Sequence, residues 1–145
     1  MRRLAPLLVV LAACAPAPTA TVVVGGRAEP ALLRFAEQDA VVTVPDTVAA
    51  GRTFTVVAAT FGGGCVRAVL APVVRVAADT TVVALFNHDT GADACTDDLL
   101  RLEHRVTLPA GGAGRRIVRL EGGHRGAATG WRMEPWAVVR TVVVR

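Results

Sequence analysis

Residues 99–108 read Leu-Leu-Arg-Leu-Glu-His-Arg-Val-Thr-Leu, and apolar and polar side chains alternate along them. A period of two is that of a β-strand, whose successive side chains point to opposite faces of a sheet. Four aliphatic side chains share one face with His104. The other face carries Arg101, Glu103, Arg105 and Thr107. The stretch therefore predicts a half-buried strand with His104 on its buried face.

Short β-branched runs recur between clusters of Gly, Pro and Asp from residue 40 onward, which is the spacing of an all-β sandwich or barrel. About seven strands are predicted, at residues 40–44, 52–60, 73–78, 80–87, 99–108, 115–121 and 136–144. Residues 136–144 are apolar on both faces apart from Arg140 and Thr141, so we expect a strand covered on both sides or an edge shielded by a loop. Residues 30–38 are equally compatible with a helix and with a strand.

The composition excludes several mechanisms. The 145 residues are 52% hydrophobic, with 26 Ala and 25 Val, and include no Ser, Lys or Tyr. Hydrolysis through a Ser nucleophile, Schiff-base chemistry on Lys and acid catalysis by Tyr are therefore ruled out. All 16 basic residues are Arg, yet the net charge is only +4, and no run of adjacent basic residues exceeds two. We expect no nucleic-acid partner and no enzymatic activity.

The amino terminus has the pattern of an export signal. Residues 1–13 place two Arg before a mostly apolar stretch, which predicts a cleaved signal peptide and is too short to span a membrane. The sequence Leu11-Ala12-Ala13-Cys14 resembles the lipobox of bacterial lipoproteins. The resemblance implies a diacylglycerol on Cys14, cleavage before it, and anchoring in the cell envelope. Because Ala15 stands where many retained lipoproteins carry Asp, it also implies the periplasmic face of the outer membrane if the cell is Gram-negative. An ordinary signal peptide with a nearby Cys is the alternative.

The remaining chain divides into a tether and one domain. Residues 14–29 are predicted to be the lipidated Cys and an extended, Pro-containing tether, although residues 21–24 could form a first strand. Residues 30–145 are predicted to be a single domain. Its strand number and the phrase Val-Pro-Asp-Thr-Val-Ala-Ala-Gly at residues 44–51 resemble bacterial immunoglobulin-like extracellular domains. The resemblance implies an antiparallel β-sandwich and no functional residue, and the core Trp of antibody domains has no counterpart between Cys65 and Cys95.

Cys65 and Cys95 remain once Cys14 is assigned to lipid. In an oxidising compartment a disulfide between them is the simplest interpretation, with free thiols, redox exchange or metal binding as alternatives. Their spacing is not that of a Cys-x-x-Cys redox motif. The pair would tie the glycines at residues 62–64 to an acidic loop further along the chain.

That acidic loop, residues 87–98, holds four of the chain's twelve carboxylates. Oxygen atoms of Asn87, Asp89 and Asp93, with the imidazole of His88, are candidate metal ligands, although the EF-hand pattern is incomplete. Asp also favours turns, so a solvated loop fixed by Cys95 or docked against Arg is the other interpretation. We expect no resident cofactor.

The remaining polar candidates are histidines and arginines. His104 is predicted to be buried and hydrogen-bonded, while His88 beside Asp89 and the loop residue His124 could serve a small hydrolase. Six Arg could form a basic face for anionic lipid headgroups or cell-wall polymers, or could instead pair with Glu on solvated strand faces. These six are Arg101, Arg105, Arg115, Arg116, Arg119 and Arg125.

The functional hypothesis is a lipid-anchored, non-catalytic binding or structural module of the cell envelope. Its partners would be the membrane, through the anchor, and an envelope protein or cell-wall polymer. A periplasmic metal-binding lipoprotein that uses the acidic loop is the alternative, and a small hydrolase that relies on His and Asp is the third hypothesis.

Overall fold

The computed structural model describes residues 25–145. Within them, regular structure consists of β-strands and one short 3-10 turn, Ala127–Thr129. The strands are β1 Arg27–Pro30, β2 Leu32–Phe35, β3 Gln38–Asp39, β4 Val41–Thr43, β5 Thr47–Val48, β6 Thr53–Gly62, β7 Val66–Val69, β8 Val73–Ala77, β9 Thr80–Ala84, β10 Phe86–Asp89, β11 Leu100–Pro109, β12 Gly114–Arg125 and β13 Glu134–Val144. The predicted signal peptide, Cys14 and the tether up to residue 24 lie outside the described residues. No helix in the described part of the chain has the length and apolar character needed to cross a membrane.

Two antiparallel pairs form the frame of a ten-stranded sheet. β6 pairs with β11 over the full length of both strands, and β12 pairs with β13 in the same way. β2 joins the two pairs, and the path along the sheet is β11-β6-β2-β12-β13-β5. The prediction of an all-β fold is confirmed. The sheet is mixed rather than purely antiparallel, because the second edge of the long strand β12 accepts β2 and β9 in parallel and β13 accepts β5 in parallel.

A smaller sheet, in the order β1-β10-β7, lies beside the large one. The chain passes between the two sheets at Ala31, which separates β1 from β2, and at Leu85, which separates β9 from β10. These two residues are buried and hydrogen-bonded to each other, since the Ala31 amide donates to the Leu85 carbonyl at 2.9 Å. The two crossings therefore lie side by side and hold the small sheet against the large one.

One hydrophobic core lies between the strand pairs. Val56 of β6 and Leu108 of β11 belong to the same buried cluster as Val118 and Leu120 of β12 and Val142 of β13. The ten-stranded sheet thus encloses its own core, an arrangement consistent with a β-sandwich. Burying each of these side chains contributes about 1.5 to 3 kcal/mol, so the alternating strands supply most of the driving force for folding.

Every predicted strand region contains a strand, with two differences of detail. Residues 80–87 form two strands rather than one, because Leu85 leaves the large sheet. Residues 30–38 contain no helix: β2 and β3 form a hairpin in which Ala36 takes a φ of 51°, a value that ends a helix or strand. Residues 27–30, most of which the sequence placed in the tether, form strand β1, which pairs with β10. The short strands β5 and β7 were not predicted.

Candidate functional site: a charged cleft beside the disulfide

Cys65 and Cys95 form the predicted disulfide, with 5.0 Å between their Cα atoms. This separation is within the usual range for a disulfide. The bond connects the turn after β6 to the acidic loop before β11. The disulfide and the small sheet form two walls of a cleft, which is described below.

The acidic loop is docked against the domain through Asp98, as one interpretation of the sequence predicted. Its carboxylate accepts hydrogen bonds from the Thr96 hydroxyl at 2.6 Å, the Arg67 guanidinium at 2.7 Å and the Gly64 amide at 3.0 Å. These three donors, with Thr96 first, lower the pKa of Asp98 to about 2. The loop is therefore held in place by charge-assisted bonds as well as by Cys95.

The structure does not bring the candidate metal ligands together. His88 and Asp89 are neighbours on β10 and point to opposite faces of the small sheet. The His88 Nε2 atom lies 2.9 Å from the Gly25 carbonyl oxygen, Asp89 pairs with Arg27, and Asp93 is exposed in the loop. Within residues 25–145, no three side chains of the His, Cys, Asp and Glu types converge in the manner a metal ion requires.

A cleft of about 730 Å³ opens between β1 and the disulfide. Four charged side chains line it and form two ion pairs. Arg27 lies 3.1 Å from Asp89, and Arg125 lies 3.8 Å from Glu29. Gly26, Gly63, Gly64 and Gly91 line the rest with the disulfide. Three of these glycines use their amides within the chain, since Gly63 donates to Val66, Gly64 to Asp98 and Gly91 to Asp89. The cleft is therefore distinguished by its side-chain charges of both signs.

The two carboxylates of the cleft have different surroundings. Burial raises the pKa of Glu29, whose side chain is 11% exposed, against the opposing effect of the Arg125 charge. A hydrogen bond from the Gly91 amide lowers the pKa of Asp89, and Arg27 lowers it further. Arg125 keeps a buried Nε–H without a hydrogen-bond partner among the described residues. The Arg125–Glu29 pair therefore has a hydrogen-bond donor without a partner. The Arg27–Asp89 pair is joined by a hydrogen bond, and Asp89 accepts a second one from Gly91.

Beneath the small sheet, a buried polar contact joins β10 to β11. The His104 Nε2 atom lies 2.9 Å from the Asn87 Oδ1 atom, and the Asn87 amide nitrogen donates to the Phe61 carbonyl at 3.4 Å. Since Oδ1 accepts, Nε2 carries a proton. Burial lowers the pKa of His104 to about 4. The prediction of a buried, hydrogen-bonded imidazole at this position is confirmed.

The three histidines occupy separate environments. His88 contacts Gly25, His104 contacts Asn87, and the His124 ring lies 5.4 Å from that of Trp136. In the part of the chain described, none of them is hydrogen-bonded to a carboxylate. The arrangement that the hydrolase hypothesis needs, a His oriented by Asp or Glu, is not assembled here.

Five of the six predicted arginines make separate contacts, and Arg115 is exposed on β12. Arg119 and Arg75 both pair with Glu121, at 3.0 and 3.1 Å, and Arg105 pairs with Glu103 at 2.7 Å. Arg116 donates to two carbonyl oxygens, and the Arg101 guanidinium lies 3.8 Å from the centre of the Phe61 ring. The solvated strand faces with ion pairs that the sequence predicted are therefore present.

Sequence reasoning missed Arg27 and Glu29, which it placed in the tether. Residues two positions apart share one face of a strand, but the four residues of β1 are too few to show from sequence that a strand forms there. No known family model matches the chain, and no curated protein or solved structure matches it either. Its function is therefore inferred from its own residues.

Proposed function

We propose that this chain is a lipid-anchored protein of the cell envelope whose β-domain is a non-catalytic binding module, with the charged cleft as its binding site. The lipobox residues at 11–14 support the anchor. The observation that carries the binding role is the ion pair Arg125–Glu29 in the wall of the cleft, whose Arg125 Nε–H is buried and has no partner in the described chain. Two other buried nitrogen atoms lack a partner among the described residues, Nε of Arg116 and Nε2 of His124, but neither residue lines the cleft. Native proteins rarely leave a buried donor unpaired unless a ligand or water completes it.

The chemistry of the cleft favours a ligand that carries both a carboxylate and an amine. Arg125 would bind the carboxylate, since a guanidinium donates in a planar fork that matches it. Glu29 would bind the amine, whose positive charge would also offset the burial that raises the pKa of Glu29. Peptide segments of an envelope protein or of a cell-wall polymer carry both groups.

The anchor is tested by fractionating cells that express the full chain or its Cys14→Ala variant. Loss of the thiol removes the site of lipid attachment, so we expect the variant to leave the membrane fraction. Cys65→Ala is the matched control, because it removes a different thiol and should leave the protein on the membrane. Tight membrane association of Cys14→Ala would contradict the proposal.

The binding role is tested by photo-crosslinking in intact cells. A photoreactive residue at position 92, on the rim of the cleft, should capture a partner, whereas one at Thr107, on the exposed face of β11, should not. Capture at position 92 should disappear in the double variant Glu29→Gln, Arg125→Ala. Equal capture at both positions, or capture that persists in the double variant, would overturn the proposal.

Elemental analysis of the purified protein distinguishes the proposed binding module from the alternative, a metal-binding protein. If the protein holds a stoichiometric metal, and the metal is lost when Asp89 and Asp93 are replaced, the function is metal binding and the proposal is wrong. Protein without such a metal, together with cleft-dependent capture, is the expected result.

A further inference from the structure

The strand β13 has a long open edge. One edge pairs with β12 throughout, but on the other edge β5 pairs only with Val143 and Val144. Among residues 25–145, no strand pairs with the rest of that edge. The Val143 amide donates to the Asp46 carbonyl on this side at 2.8 Å, so alternate residues back along the strand also direct their backbone groups outward. The outward carbonyl of Val139 accepts a hydrogen bond from the exposed Arg140 side chain at 2.9 Å, and pairing with a second strand would displace this side chain. These residues are Ala137, Val139 and Thr141, and Pro135, which has no N–H, ends the row.

Two other edge strands of the large sheet, β8 and β11, carry charges that discourage self-association. β8 is exposed throughout, but its central residue is Arg75, and antiparallel pairing of two copies would set Arg75 against itself. β11 presents Arg101, Glu103 and Arg105 on its exposed face. The open part of β13, residues 136–142, instead has Val139 at its centre, and this side chain is 50% exposed.

We propose that two copies of the chain associate by antiparallel pairing of residues 136–142, with the two-fold axis at Val139. In this register each Val139 pairs with its copy, and each Ala137 pairs with Thr141 of the second copy. Each of these residue pairs exchanges two backbone hydrogen bonds. Arg140 lies opposite Val138 of the second copy, so no like charges are directly opposed. This interface is independent of the charged cleft.

The sequence around the open edge selects this register. Moving the axis to residue 140 would place Arg140 opposite its own copy, which is unfavourable. Moving it to residue 138 would place Thr141 opposite Pro135, which cannot donate. β5 stops the pairing at the other end because it already occupies the edge at Val143. The axis at Val139 therefore gives the largest number of complete pairs without a charge conflict.

Disulfide crosslinking of the full, exported chain tests this register directly. Residues that form a hydrogen-bonded antiparallel pair have Cα atoms about 5.5 Å apart, which a disulfide can span. Val139→Cys should therefore give a covalent dimer on a non-reducing gel, with peptide mapping joining position 139 to position 139. Thr141→Cys should stay monomeric, since the two copies of residue 141 would be about 13 Å apart along the strands. Val76→Cys, on the exposed strand β8, is the control for random collisions and should also stay monomeric.

Sedimentation velocity of the detergent-solubilised chain gives a second test without a new thiol. Thr141→Pro removes one outward N–H on each side of the axis, and we expect dimer dissociation to rise about tenfold or more. Thr141→Val keeps the N–H and should leave dissociation unchanged. A monomeric wild-type chain with no crosslink at position 139, or equal crosslinking at positions 139, 141 and 76, would overturn the proposal. Coverage of this edge by residues 1–24 or by another protein would appear as the first of these results.

Discussion

Lowering the pH from 7 to 4 should destabilise the folded domain through one buried side chain, His104. Burial lowers its pKa from 6.5 to about 4, and its Nε2–H is directed at Asn87. Below pH 6.5 the unfolded chain takes up a proton on this residue, but the folded chain does not until about pH 4. Stability is therefore complete above pH 6.5, falls through this window and levels off below it. Since each pKa unit corresponds to 1.36 kcal/mol, the total loss is about 3 kcal/mol.

Urea unfolding with the disulfide intact, at several pH values between 7.5 and 4, measures this loss. His104→Gln is the informative variant because its amide can still donate to Asn87 but does not titrate. The wild type should lose about 3 kcal/mol more than this variant across the window. Taking the difference removes the contribution of Asp98, whose stabilisation is lost as the pH falls from 3.8 toward 2, and that of Glu29, whose raised pKa stabilises the fold on acidification. His88→Gln keeps the buried pair and should retain the wild-type slope. Parallel curves for wild type and His104→Gln would refute the reasoning.

Three further perturbations test the structure around the cleft. Replacing Cys65 and Cys95 together by Ala opens a loop of 30 residues and should lower the free energy of unfolding by about 3 to 4 kcal/mol, measured by denaturant titration against the wild type. Gly122→Ala should cost about 1 to 3 kcal/mol in the same assay, because its Cβ would overlap the Ala31 carbonyl. Gly112→Ala is the control and should change stability little, since its backbone is not left-handed and its Cβ would meet only the Arg116 side chain, at 3.9 Å. Asp98→Asn weakens the contacts to Arg67 and Gly64, so amide hydrogen exchange should become faster in residues 91–99 and stay unchanged in β12; equal exchange in the loop of both proteins would contradict the docking role.

Local patterns predicted the elements whose side chains report directly on burial. The alternation around His104 gave the strand, its buried face and the environment of the imidazole, because one face of β11 packs on the core. The predicted export signal and the number of cysteines together predicted the disulfide. The long strands were found in the same way, since each has enough β-branched residues to show its own preference.

Pairing between distant segments could not be read in this way. β1 and β7 have four residues each, too few for a periodic signal, and become strands because β10 lies between them. The parallel neighbours of β12 depend on where the chain crosses at Ala31 and Leu85, and no local pattern encodes that choice. The cleft was missed for the same reason: Glu29 and Arg125 are far apart in sequence and meet only through these crossings.

The cleft and the open edge should respond differently to the same perturbations, because they rest on different parts of the fold. Arg27, Glu29 and Asp89 lie on the small sheet, whose position depends on the Asn87–His104 contact and on the disulfide. The open edge belongs to β13, which is fixed along its length by β12. Loss of the disulfide should therefore weaken capture at the cleft while the Val139→Cys crosslink persists. If cleft capture and the crosslink were both lost while the domain remains folded, the two sites would be coupled. The position of the small sheet would then not be independent of β13.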